Sequence, residues 1–104
     1  MADVNMDVID DVVYITVIPE NNKRNSYIKC ISVLIDYLGG TENTNLEAGH
    51  LNFPGGVLTI PSLTEPIVEP ITAYTNNKEF VSYCKNSFYK HNIEAEMEYR
   101  MSEL

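Results

Sequence analysis

Basic residues are scarce in this chain, where seven lysines and arginines stand against fifteen aspartates and glutamates for a formal net charge of -8. A surface of that sign repels phosphate backbones and anionic lipids, so direct nucleic-acid binding and membrane binding are not expected. Tryptophan is absent, and cysteine occurs only as Cys30 and Cys84, without the close spacing of a zinc or dithiol motif. Each cysteine falls among apolar neighbours in a helical pattern, which predicts buried free thiols and a reducing compartment. No apolar run approaches the roughly 18 residues of a membrane span, and the acidic start carries the wrong charge for a secretory signal. The expected location is the cytoplasm, that of the host cell if the chain is viral. His50 and His91 have no acid and nucleophile near them in sequence, so neither a hydrolytic triad nor a metal or cofactor site is expected.

What is present is enough for one domain. Of 104 residues 44% are hydrophobic, and the aromatics are seven tyrosines and three phenylalanines. That supports one core and leaves no room for a second. Residues 1–11 carry Asp3, Asp7, Asp10 and Asp11 with no basic residue, and are predicted to form a loosely attached acidic arm. The domain proper is then 12–104.

Within it, Val12 to Ile18 is β-branched and aromatic throughout, which predicts a central strand covered on both faces and ended by Pro19. Asn25 or Ser26 caps a helix whose inner face is Ile28, Ile31, Leu34, Ile35 and Leu38, and Gly39-Gly40 ends it. Thr41 to Gly56 is rich in Asn, Thr, Gly and Glu, and predicts an exposed loop with a short extended piece at His50 to Phe53. Further strands follow at Val57 to Ile60 and Ile71 to Tyr74. Asn76 with Glu79 three residues on has the form of a capping box, predicting a helix through Phe80, Val81, Cys84, Ser87 and Phe88 that stops near Asn92. The last segment alternates Ile93, Ala95, Met97, Tyr99 and Met101 with Glu94, Glu96, Glu98 and Arg100, the period of a half-buried strand. The order is that of a ferredoxin-like βαββαβ sandwich, an α+β fold with a four-stranded antiparallel sheet and two helices on one face.

In that arrangement Glu94, Glu96 and Glu98 project from the outer face of the final strand at two-residue spacing. Three carboxylates roughly 7 Å apart, with Asp10 and Asp11 of the arm nearby, imitate a row of phosphates and suit a basic groove on another protein. The same glutamates would equally serve to keep an edge strand from pairing with other chains. The Asn52-Phe53-Pro54-Gly55-Gly56 stretch lacks the lysine of a phosphate-binding loop and reads as a hairpin turn. An RNA-recognition module would need exposed aromatics on its central strands. Val57 to Ile60 has none, and Tyr14 is the only one on the first strand.

The layout of Tyr14-Ile15-Thr16-Val17, Asn25-Ser26 before a helix, Leu38-Gly39-Gly40 after it and Val68-Glu69-Pro70-Ile71-Thr72-Ala73-Tyr74 before the next resembles, mainly in topology, the phage S-adenosylmethionine-degrading lyases. That resemblance implies a ferredoxin-like subunit in a trimer, with Glu69 positioning the cofactor substrate at an interfacial pocket. Three functions follow as expectations. The first is a non-catalytic acidic binding protein, encoded by a phage or mobile element, that inhibits a host nucleic-acid-processing or defence protein. The second is an S-adenosylmethionine lyase or other small-molecule-binding homo-oligomer built around Glu69. The third is a virion structural or assembly subunit.

Overall fold

The chain enters the fold at once. In the computed structural model, which describes residues 1–40 and 45–102, β1 (Asp3–Ile9) and β2 (Val12–Ile18) form an antiparallel hairpin. Asp10 and Asp11 make its two-residue turn with φ of 49° and 62°, the left-handed pair whose twist matches that of the flanking strands and which aspartate tolerates better than most residues. The predicted acidic arm is thus an ordered strand. Its alternation explains why: Ala2, Val4 and Met6 are buried while Asp3, Asn5 and Asp7 face outward.

Helix α1 (Arg24–Leu38) follows, ended by Gly39 in the left-handed conformation at φ 78°. After it come β3 (Gly49–Phe53), β4 (Gly56–Ile60) and β5 (Ile71–Thr75). Residues 41–44 of the predicted loop lie outside the described residues. α2 (Lys78–Lys85) begins one residue later than predicted. Its cap is Asn77, whose side-chain oxygen accepts the Phe80 amide at 3.1 Å. The chain then breaks at Asn86, which takes an extended backbone conformation, and Asn86 Oδ1 accepts the Phe88 amide at 3.0 Å to start α3 (Ser87–Ser102). Asn92, predicted to stop a helix, lies inside this one.

The sheet has five strands in the order β1-β2-β5-β4-β3, every neighbouring pair antiparallel. The four-stranded sheet with two helices is therefore corrected, among the described residues, to five strands with three helices. The α+β class holds. The main error is at the C-terminus, where the predicted final strand is the second half of α3. Strict alternation contains its own i, i+4 series: Ile93, Met97 and Met101 recur every fourth residue as well as belonging to every second. Glu, Ala, Met and Arg are strong helix formers, and Ile93 is the only β-branched residue from there to Met101, so propensity decides for helix. Met97 and Met101 are buried, whereas Ala95 and Tyr99 are exposed.

Register places the core on one side of the sheet. Val4 lies opposite Val17 and Met6 opposite Ile15, while Ile15 and Leu58 both face Ala73 across their strands. These residues meet Tyr27, Ile31, Leu34, Val81, Cys84 and Met97 of the helices in a single buried cluster. β2 is covered on that face only, not on both as predicted: Tyr14 and Ile18 are 45% and 55% exposed. Among the described residues no helix is long and apolar enough to cross a membrane.

Candidate functional site

Glu94, Glu96 and Glu98, predicted to form one outward row, are parted by the helix. Lys90, Glu94 and Glu98 stand four residues apart on one side of α3 and run along the outer edge of β1. Glu98 Oε1 accepts the Val4 amide at 3.1 Å, Glu94 Oε2 accepts the Met6 amide at 3.0 Å, and Lys90 Nζ donates to the Met6 carbonyl at 3.2 Å. The fit is metric. Four helical residues advance about 6 Å and two strand residues about 6.7 Å, so successive carboxylates meet successive outward amides of the antiparallel strand. These glutamates close a sheet edge that would otherwise be open to another strand. Glu96 lies on another side of α3, exposed and near Tyr37 of α1, whose hydroxyl is pushed up to about 12 by burial and then by Glu96. Beside it Arg100 pairs with Asp36 at 2.7 Å.

Asp10 and Asp11 stay at the surface in the β1–β2 turn, and Asp11 is 2.5 Å from Lys85. That lysine holds the Asp11 carboxyl below its usual range, first through the hydrogen bond and then through its charge. A cleft of about 520 Å³ behind the turn is lined by Asp10, Asp11, Lys78 and Lys85 together, so it selects neither charge. Glu69 lies in the β4–β5 loop with its side chain exposed. Its backbone carbonyl accepts the Tyr27 hydroxyl at 2.9 Å, which ties the loop to α1.

Nucleophiles and ligand clusters add little. Burial pushes the Cys30 and Cys84 thiols up to about 11, so neither offers a thiolate at neutral pH. His91 Nδ1 is 3.1 Å from Glu94 Oε1, and His50 Nδ1 is 3.1 Å from Thr59 Oγ1. Both histidines are exposed. Among the described residues no group of three or more His, Cys, Asp or Glu could hold a metal ion.

The uncovered face of the sheet is more distinctive. The register sets two rows across all five strands: Asp7, Tyr14, Tyr74, Val57 and Asn52 in one, and Asn5, Thr16, Thr72, Thr59 and His50 in the next. Tyr14 and Tyr74 stand at the centre, each 45% exposed, with ring centroids 6.2 Å apart and planes tilted by 43°. Asp3 and Asp7 are exposed on the β1 flank of the same face. All seven basic residues lie elsewhere: Lys23 at the N-cap of α1, Arg24 and Lys29 within it, Lys78 and Lys85 in α2, and Lys90 and Arg100 in α3. The face therefore carries carboxylates, hydroxyls, two phenol rings and the His50 imidazole, and no lysine or arginine; Lys85 and Lys90 reach only its β1 edge, where they share a surface cleft with Asp7. Asp3, Asp7 and Tyr74 are the residues that the sequence reading did not join to a site. The alternation from Ala2 to Ile9, ahead of an Asp-Asp turn, was the signal that would have placed the first two.

No family model matches the chain, no curated protein matches it, and no solved structure matches its fold.

Proposed function

We propose that this chain is a non-catalytic binding protein that engages a basic surface of another protein through the open face of its sheet. The separation of charge carries the reading: every basic residue is in the helical layer or at its cap, while the strand face presents Asp3 and Asp7, with Asp10 at the adjoining turn. Asp3 and Asp7 lie about 13 Å apart along one strand, so they match phosphates two steps apart on a nucleic-acid strand rather than successive ones. They take the role first given to the three glutamates. In this role the protein occupies the groove of a host nucleic-acid-processing or defence protein, as an inhibitor encoded by a phage or mobile element.

The scaffold for this is a ferredoxin-like sandwich with one substitution of parts. Read from β2, the path β2, α1, β4, β5, α2 follows the first five elements of βαββαβ, β1 takes the sheet position of the closing strand, and β3 extends the far edge. The N-terminal strand thus brings its aspartates beside the central tyrosines.

Competition with labelled duplex DNA for a panel of basic nucleic-acid-binding proteins tests the reading. The wild-type chain should displace DNA at low salt and lose that ability as salt is raised, because exposed charges are screened within about 10 Å at 0.1 M. Asp3→Lys with Asp7→Lys should abolish displacement, and Glu96→Lys with Glu79→Lys, an equal charge change in the helical layer, should preserve it. Equal loss in both double variants would reduce the effect to net charge and end the proposal.

A further inference from the structure

We infer that the row Asp7, Tyr14, Tyr74 is an arginine-recognition site, so that the partner presents a protein segment bearing arginine rather than lysine. The inference rests on the reading of the open face as the binding surface and adds the chemistry of its occupant. Two features of the row point to a guanidinium.

The first is the ring pair. At 6.2 Å and 43° the rings are in tilted contact with one another, yet each stays 45% exposed, so both still offer ring surface to a ligand on the open face. A cation resting about 4 Å above the midpoint lies about 5 Å from both centroids, inside the roughly 6 Å limit of a cation–π contact. A planar guanidinium can lie along one ring and under the edge of the other, whereas a lysine ammonium reaches the notch only as a hydrated point charge.

The second is the neighbouring carboxylate. Asp7 is the direct cross-strand partner of Tyr14 on β1, so its side chain emerges about 5 Å away on the same face. The Asp7 side chain makes no hydrogen bond or ion pair with any described residue. Its two oxygens match the paired N–H donors of a guanidinium stacked on the adjacent ring. Asp3, two rows further along β1, meets the next cation of the segment. Asn5, between them on β1, and the Thr16 hydroxyl opposite it provide acceptors and donors for the peptide backbone.

A rival occupant of two exposed aromatic rings on a sheet is a single-stranded nucleic acid, whose bases would stack there. The carboxylates of Asp3 and Asp7 and the lack of a lysine or arginine on the strands of the face oppose its phosphates, so the cationic peptide is favoured.

The test uses the full chain with three probes, each followed by calorimetry and by tyrosine fluorescence: an octapeptide of alternating arginine and glycine, its lysine counterpart of equal charge, and a ten-nucleotide single strand. The arginine peptide should bind at least tenfold more tightly than the lysine peptide. Tyr14→Leu with Tyr74→Leu should bring the two peptides within about twofold, and Asp7→Asn should weaken the arginine peptide more than the lysine one. Circular dichroism verifies the fold, and Asp7→Asn alone decides if the double leucine variant fails to fold. Equal binding of both peptides, lost in Asp3→Lys with Asp7→Lys, would overturn the arginine site and leave the open-face reading standing. Binding of neither peptide, or tighter binding of the oligonucleotide, would overturn both.

Discussion

At the scale of single residues, the glutamates of α3 show how position decides what a charge does. Glu94 and Glu98 accept amides of β1, and a charged acceptor of this kind contributes about 1.5–3 kcal/mol, less where solvent reaches it. Glu94→Ala and Glu98→Ala should therefore each lower stability by about 1–2 kcal/mol in urea unfolding, with Glu96→Ala close to neutral. The double alanine variant also frees the β1 edge. It should associate as concentration rises, which sedimentation would detect. The buried thiols predict a pH dependence. Burial raises the folded values of Cys30 and Cys84 from 9.0 to about 11, so their contribution is complete below pH 9 and is lost as pH rises toward 11. Thermal unfolding should show that alkaline loss reduced by Cys30→Ala with Cys84→Ala.

At the scale of elements, the sheet depends on a close approach that only glycine permits. A Cβ at Gly56 would run into the Tyr74 carbonyl oxygen, a backbone atom of β5 that cannot turn aside. Gly56→Ala should cost about 2 kcal/mol or more and loosen the β4–β5 pairing beside Tyr74, measurable as faster amide exchange in β4. The strands β2, β4 and β5 and helix α1 were legible from β-branched runs, apolar spacing and glycine stops, because each is defined by signals within its own span. α3 was not, since residues 93–101 satisfy period two and period four together. Met97 is the residue on which the helix turns: fully buried there, it should cost about 2–4 kcal/mol when changed to alanine, whereas exposed Ala95 should tolerate lysine.

At the scale of the whole molecule, the net charge of -8 is not spread evenly. Basic residues of the helical layer are paired, Arg100 with Asp36 of α1, Lys85 with Asp11 of the β1–β2 turn and Lys23 at the α1 cap with Glu65 of the β4–β5 loop. Asp3 and Asp7 on the strand face have no such partner among the described residues. Carboxylates held for a partner add to self-repulsion without stabilising the fold. Asp3→Asn with Asp7→Asn should leave the thermal midpoint unchanged or higher while weakening capture of a basic protein. A fall in both would make these aspartates structural.

Composition and local pattern alone determined the net acidity, the α+β class, the central strands, the first helix and two cysteines buried as free thiols. Those properties arise from burial of apolar residues at a local period, and the sequence displays that period directly. Tertiary structure alone decided where the acidity points. Whether a glutamate faces solvent or a strand edge depends on which element packs beside it, and Glu94 and Glu98 are separated from Val4 and Met6 by most of the chain. The same holds for the open face, where pairing of β1, β2 and β5 sets Asp7, Tyr14 and Tyr74 in one row. The acidity evident from composition is thus divided between an edge closed from within and a face whose strands carry no lysine or arginine.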